Sequence, residues 1–566
     1  MKKYLNLTIA FSAMAIVFAS CNKGGDEAKM IPGNAIFVAS INMQSVNKKI
    51  SWKEVKQTAW FQKLYADSTT PEWRRKILDN PEASGIDLDK NITFFATKNG
   101  EQDMYLVAEG IIKNEKDFEQ FNKNFDPAQN VTKSGDVSTL TLKDQSILAW
   151  KGNQFAYVMN SSFNPSQVMS NWNDTANLPS NPAPINNSAL LSGYAVKLFT
   201  LHADSSLAKN DKFSDLLKSK GDMYFWQNTE ESMKNNPALG MVSMLKMDAF
   251  FKNNFSAFTV NFENGKIEID QKQYMSKELS DLMKKYKGSG INKDMIANIP
   301  SQNVLGIFTT SFKPGLLEAV IKMIGADGLA NMFLQQAGFG LEDLSKANNG
   351  NMLMAVTDLQ MKANTLKDIK DSAGNDLNMM IPDMKFSMVM GVKDRPSFEK
   401  ILNAGKKMLS QMPNDTTVSM VLNDKYFVAS NSATLANQYL AGNNKNKFDF
   451  IDKIDGQSMG AYVDLHKIFT QLSTQPTNNE ERKALMDENL KFWNYVSMKA
   501  GDMDGDALKG EIKINMLDQN TNSLKLLNNY ADGMFKIAEA NKLRNPDKRN
   551  LDSLLTPPPV DTIPTK

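Results

Sequence analysis

Short runs in which apolar and polar residues alternate recur along most of the chain, separated by Gly, Asn and Pro; a period of two is that of half-buried strands. The first run is Met30-Ile31-Pro32-Gly33-Asn34-Ala35-Ile36-Phe37-Val38-Ala39-Ser40-Ile41-Asn42, a turn that opens into a strand. The period then lengthens, and Trp52, Val55, Trp60 and Leu64 fall on one face of an amphipathic helix. Gly85-Ile86-Asp87-Leu88 leads into a strand from Asn91 to Ala96, whose hairpin partner is Met104-Tyr105-Leu106-Val107-Ala108-Glu109-Gly110. A helix with Phe118 and Phe121 follows. Ser146 to Trp150 and Gln154 to Met159 then form a second hairpin around Lys151-Gly152-Asn153. Hairpins interleaved with helices predict an α+β fold of mostly antiparallel sheet.

The same order of events then recurs. Ile31-Pro32-Gly33-Asn34-Ala35 is echoed by Ile299-Pro300-Ser301-Gln302-Asn303-Val304, and Gly85-Ile86-Asp87-Leu88 by Gly340-Leu341-Glu342-Asp343-Leu344. The strand Asn91 to Ala96 finds Asn351 to Val356, and Tyr105 to Gly110 with Phe118-Glu119 finds Ser387 to Gly391 with Phe398-Glu399. Phe155-Ala156-Tyr157-Val158 matches Tyr426-Phe427-Val428-Ala429, and Gly193-Tyr194-Ala195-Val196 matches Gly460-Ala461-Tyr462-Val463. The closing hairpin, Phe262 to Ile269 around Asn264-Gly265, recurs as Gly510 to Ile514; Asn-Gly there is a type I′ turn signal. Separations of about 250–280 residues exceed any solenoid period, so whole lobes are read as duplicated. The expected lobes are 30–275 and 296–516, with 276–295 as linker. Gly221 to Trp226 and the loop Asn177 to Asn187 read as extra material in the first copy.

The ends have a different character. Lys2 and Lys3 precede an apolar run from Leu5 to Ala19, too short to span a membrane, and small residues lead to Cys21. Residues 1–20 therefore read as a signal peptide, and Phe18-Ala19-Ser20-Cys21 resembles a bacterial lipobox, with Phe18 where Leu is more usual. Acyl chains on Cys21 would anchor the chain to a membrane, with 21–29 as tether. Residues 517–545 have helical composition, and 546–566, with Pro557-Pro558-Pro559, read as a disordered or polyproline-like tail.

Composition narrows the chemistry. At 566 residues the chain exceeds a single core. Its 65 basic and 63 acidic residues form no electrostatic footprint, so no nucleic-acid partner is expected. Cys21 is the only cysteine and His202 and His466 the only histidines, which argues against thiolate and His-rich metal sites. No cofactor is expected. Asp502-Met503-Asp504-Gly505-Asp506 has the acidity of a calcium loop, but an EF-hand needs Gly at its sixth and Glu at its twelfth position, where Ala507 and Lys513 stand. His202 and His466 each lie beside a Leu and read as surface or boundary residues, and Glu480-Glu481-Arg482 as a solvated face. No catalytic motif is found, so no catalytic or metal-binding residue is assigned. The 34 methionines suit irregular cores and adaptable apolar surfaces.

Asp followed by Ser or Thr and a small or aliphatic residue resembles the O-glycosylation acceptor of secreted Bacteroidota proteins. It marks Ser68, Thr175, Ser372, Thr416, Ser553 and Thr562. The lipobox, the Ile31-Pro32-Gly33-Asn34-Ala35-Ile36 opening and the two-copy layout together resemble a family of uncharacterised Bacteroidota lipoproteins, domain-of-unknown-function family 4836. That resemblance implies an envelope lipoprotein and brings no functional residues with it. The expected function is non-catalytic binding or scaffolding at the outer membrane. A cleft between the lobes would take a hydrophobic ligand or an envelope protein. A hydrolase of envelope polymers and a purely structural lipoprotein are the alternatives.

Overall fold

The computed structural model describes residues 28–66, 72–99, 103–124, 130–142, 145–160, 188–234, 245–246, 248–370, 376–409, 418–474 and 479–544. The signal segment, Cys21, all six glycosylation candidates and the Pro-rich tail lie outside them, as does the loop from Asn177. The fold begins two residues earlier than the tether reading implies: Ala28–Met30 is a short 3-10 turn with Ala28 and Met30 in the core.

The strands of the first half are β1 (Phe37–Ile41), β2 (Ile92–Asn99), β3 (Asp103–Ile111), β4 (Thr132–Ser134), β5 (Val137–Thr141), β6 (Ile147–Lys151), β7 (Gln154–Asn160), β8 (Met223–Asn228), β9 (Phe255–Glu263) and β10 (Lys266–Tyr274). Those of the second are β11 (Val304–Ser311), β12 (Asn348–Lys370), β13 (Asp376–Val392), β14 (Ser419–Leu422), β15 (Tyr426–Ser430), β16 (Met459–Asp464), β17 (Trp493–Asp504) and β18 (Ala507–Met516). Among the described residues they form one antiparallel sheet, in the order β4-β5-β6-β7-β3-β2-β1-β8-β9-β10-β18-β17-β16-β11-β12-β13-β15-β14. The halves meet where β10 pairs with β18. Outward from that seam each follows the same course: a hairpin partner, a long-range strand, the opening strand of its half, then a second hairpin group.

The helices fill the connections. The first half carries α1 (Met43–Lys49), α2 (Trp52–Lys56), α3 (Ala59–Ala66), α4 (Glu72–Asp79), α5 (Glu115–Lys123), α6 (Ser188–Leu198), α7 (Asp211–Lys218), α8 (Thr229–Met233) and α9 (Asp248–Phe251). Between the halves lie α10 (Lys277–Lys285) and α11 (Lys293–Ala297). The second half adds α12 (Leu316–Met323), α13 (Asp327–Gln336), α14 (Leu341–Ala347), α15 (Arg395–Leu409), α16 (Ala433–Ala441), α17 (Ile451–Ile454), α18 (Leu465–Ser473), α19 (Glu480–Phe492) and α20 (Ser523–Arg544). Against one part of the sheet pack Leu191, Leu198 and Phe213, together with Tyr105, Val107 and Trp226; in the second half Ile296, Tyr439 and Phe450 pack with Leu353, Val428 and Tyr462. Smaller clusters gather around Phe118 and Trp150 and around Phe398 and Phe427.

Several local readings need correction. The helix read through Trp52 and Leu64 is two: the Thr58 hydroxyl donates to the Val55 carbonyl at 2.7 Å, and the chain restarts at Ala59, whose N–H is accepted by Asp532. Residues 276–295 are not a plain linker but hold α10 and most of α11, capped by Ser276 and Asn292. Gly193 to Val196 lies in α6, whereas Gly460 to Val463 lies in β16. The strand at the place of β16 in the first half is β8, so Gly221 to Trp226 is not extra material. Gly85 and Gly340 also hold different places. The Gly85 carbonyl accepts from Lys113 and Asn114 just as that of Ala347 accepts from Lys393 and Asp394. At the β9–β10 turn Gly265 has φ +67° while Asn264 has no positive φ, so the turn lacks the two left-handed residues of type I′.

Candidate binding site at the seam

The alternation Lys266-Ile267-Glu268-Ile269-Asp270 gives β10 two unlike faces, and β18 repeats it with Glu511-Ile512-Lys513-Ile514. In the observed register Ile267 opposes Ile514 and Ile269 opposes Ile512, while Glu268 opposes Lys513, Asp270 opposes Glu511 and Lys272 opposes Lys509. Residues directly opposite in an antiparallel pair share a face. The apolar face is covered by α20, whose Leu524, Leu527 and Tyr530 pack with Phe262, Ile267, Phe492 and Met516. The other face is open, charged, and floors a pocket of about 390 Å³.

Both halves build that pocket. Asp215, Leu216, Ser219 and Lys220 come from α7 and its end, Ala257 and Thr259 from β9, and Asp270, Gln271, Lys272 and Tyr274 from β10; the second half adds Asp504, Lys509 and Gly510. Lys272 and Lys509 approach Asp504 at 3.6 and 3.4 Å, and Lys509 with Lys272 holds that carboxyl below the usual range. Lys212 bonds Asp506 at 2.6 Å and lies over the Tyr274 ring at 4.7 Å. Burial pushes the Tyr274 hydroxyl up, helped by the negative charge of Asp215, Asp506 and Asp504. Partial enclosure raises the Asp270 carboxyl too, and the adjacent Glu511 and Glu268 charges add to it. Farther along the sheet α17 packs on β16 and β17, and its Lys453 sits 4.0 Å from the centre of the Tyr495 ring.

Such a floor can hold a ligand bearing charges of both signs. Glycosidic acid–base chemistry needs two carboxyls flanking the bond, about 5–9 Å apart. Asp270 opposes Glu511 across the strands, but Glu511 does not line the pocket and is engaged by Lys513 at 2.5 Å. The lining is not the Met- and Phe-rich one expected of a cleft for acyl chains.

The residues singled out in sequence are not brought together here. His202 precedes the turn Ala203–Ser205 and is exposed, while His466 is in the first turn of α18. The acidic loop is the β17–β18 turn: Asp502 bonds Lys287 at 2.6 Å, and Asp504 and Asp506 have the lysines named above. Among the described residues no group of three acidic, His or Cys side chains forms a metal site. Glu480 and Glu481 open α19 behind the Asn479 cap. The seam residues escaped the sequence reading because single charges on alternating strands look like ordinary solvated faces. The available signal was that β10 and β18, matched as a repeat, both carry them.

A family model described as Domain of unknown function (DUF4836) matches residues 28–464. The chain belongs to this family. The DUF4836 match starts at Ala28, where the described fold starts, and ends with β16. It thus takes in α7, β9 and β10 of the seam, while β17 and β18 lie after it. No curated protein and no solved structure matches the chain. Among the described residues no helix is long and apolar enough to cross a membrane.

Proposed function

We propose that this DUF4836 protein is an internally duplicated envelope lipoprotein, held at the outer membrane through Cys21, that binds a polar ligand at the seam between its halves and does not transform it. The observation that carries the binding role is the pocket of about 390 Å³ with Asp270, Lys272, Asp504 and Lys509 on its floor, contributed by both halves. Duplication is supported by the matching strand courses on either side of the β10–β18 pair and by Asp270 opposing Glu511 at its middle. Anchoring is supported by the lipobox Phe18-Ala19-Ser20-Cys21. The ligand class that suits mixed charge in an envelope is a peptide-bearing fragment of the wall polymer, with free carboxylates and amino groups.

Two measurements test the two parts. Cells fed an alkyne fatty acid should label the wild-type protein and not Cys21→Ala; label on the variant contradicts anchoring at Cys21. A ligand that binds only the folded state raises the unfolding midpoint. A soluble muropeptide digest should therefore stabilise the wild type and leave Lys272→Ala/Lys509→Ala unmoved, and equal shifts in both would contradict the seam as the site.

A further inference from the structure

We propose that α12 and α13 form a membrane-docking element that lies on an anionic bilayer surface, independently of any acyl anchor. The stretch from Leu316 to Phe339 carries only Glu318, Lys322 and Asp327 as charges. No residue from Phe312 to Gly340 is buried, and Leu317, Leu329, Met332 and Phe333 are 59%, 51%, 49% and 59% exposed. Large apolar side chains this open are the informative exception on a protein surface.

The other half of the fold sharpens the point. Between β1 and β2 the corresponding connection holds α3, and α20 covers it: Asp532 accepts from the Ala59 N–H, Lys63 pairs with Glu539, and Phe61 is buried. Between β11 and β12 the covering helices among the described residues are short: α10, which packs on α12, ends at Lys285 after 9 residues, and α14, which packs on α12 and α13, has 7, against the 22 of α20. α14 lies against both helices, its Leu341 N–H donating to Asn331 and its Ser345 hydroxyl to Glu318, and Leu317, Leu329, Met332 and Phe333 remain exposed beside it. With nothing buried along the pair, its exposed apolar side chains stand as an open ridge. An open apolar ridge suits a fluid surface.

Charge selects the kind of surface. Lys284, Lys285 and Lys313 are exposed at the N-terminal end of α12, where Lys313 Nζ donates to the Lys285 carbonyl at 3.3 Å. At its other end the Lys246 N–H donates to the Ile324 carbonyl at 2.9 Å, bringing a fourth exposed lysine alongside. Lys322 is bonded to Glu318, which also accepts from Ser345 of α14, so the acidic side chain is turned toward the body. Leu317 on α12 lies between these lysines, and the adjoining α13 adds Leu329 and Phe333; apolar side chains beside lysines match the acyl boundary and the phosphates above it.

The test is flotation of the purified chain from Asn22 onward, which lacks both the apolar leader and Cys21, with vesicles of phosphatidylethanolamine and phosphatidylglycerol, and with phosphatidylcholine alone. The anionic vesicles should carry the protein, and the neutral ones should carry less. Leu329→Glu/Phe333→Glu should lower the bound fraction by about tenfold or more, with an unchanged melting curve because neither residue is buried. Lys284→Glu/Lys285→Glu/Lys313→Glu should weaken binding to the anionic vesicles alone. Equal flotation of wild type and Leu329→Glu/Phe333→Glu, or none with either, overturns the proposal. So does a dimer in lipid-free solution that Leu329→Glu/Phe333→Glu dissolves, which would assign the ridge to a second copy. Because Cys21 is absent from every arm, failure here leaves the fatty-acid result standing.

Discussion

Asp222 shows what single residues contribute that periodicity cannot announce. Its carboxylate, with a side chain 1% exposed, accepts from the Ser45 hydroxyl, from Lys49 Nζ and from the Phe262 N–H, each at 2.6 Å. It thereby ties α1 to β9 across the start of β8. Removing one member of a buried ion pair strands the other, so Asp222→Ala should lose about 3–5 kcal/mol in urea unfolding, and Lys49→Met in that background should recover part. In sequence Asp222 is one acid in a stretch that reads as surplus. Its role follows from long-range neighbours, which no local pattern contains. Gly265 is similar: a Cβ there would lie 2.5 Å from the Gln519 Cα, a constraint set by a segment more than two hundred residues away.

Elements were more legible than residues, for a physical reason. A strand with one buried face must alternate, as β1 and β11 do, and a strand buried on both faces reads as a short apolar run between turn residues, as β6 and β15 do, so these could be read directly. Phe118 and Phe398, matched in sequence, do begin equivalent helices, each N–H bonding the cap residue four before it. Misreadings came where period and partner disagree. Gly-Tyr-Ala-Val fits a helix or a strand, and only the β1–β8 and β11–β16 pairings decide which copy is which. Thr58 breaks a helix that side-chain spacing would continue. The docking of α20 on α2 and α3 was likewise invisible, and it supplies a pH test. Lys525 bonds Glu54 at 2.6 Å and, with the Ser51 N–H and hydroxyl, depresses the Glu54 carboxyl to about 2. A carboxyl lowered by folding stabilises above its unfolded value, ordinarily near 4.5, and that contribution fades as pH falls toward about 2. In Lys525→Ala the Glu54 carboxyl should titrate nearer its ordinary range in a carbon-detected NMR titration; an unchanged midpoint would mean that Lys525 does not hold it.

At the scale of the molecule the two halves are joined edge to edge through their last strands, so one sheet runs through both and the seam is a place neither half forms alone. A palindrome of strand orders could not be read from the sequence, which carries order along the chain but not the pairing of β10 with β18. Nor could the unlike faces of that pair, one closed by α20 and the other left as a charged pocket. The exit of each half toward the other, α10 onto α12 and α20 onto α3, is a further consequence of the same joint. The most direct test of a ligand at the seam is native mass spectrometry of the protein purified from its own envelope. The wild type should carry a polar adduct that Lys272→Ala/Lys509→Ala has lost. An adduct retained equally by both proteins, or its absence from the wild type at native abundance, would contradict the account.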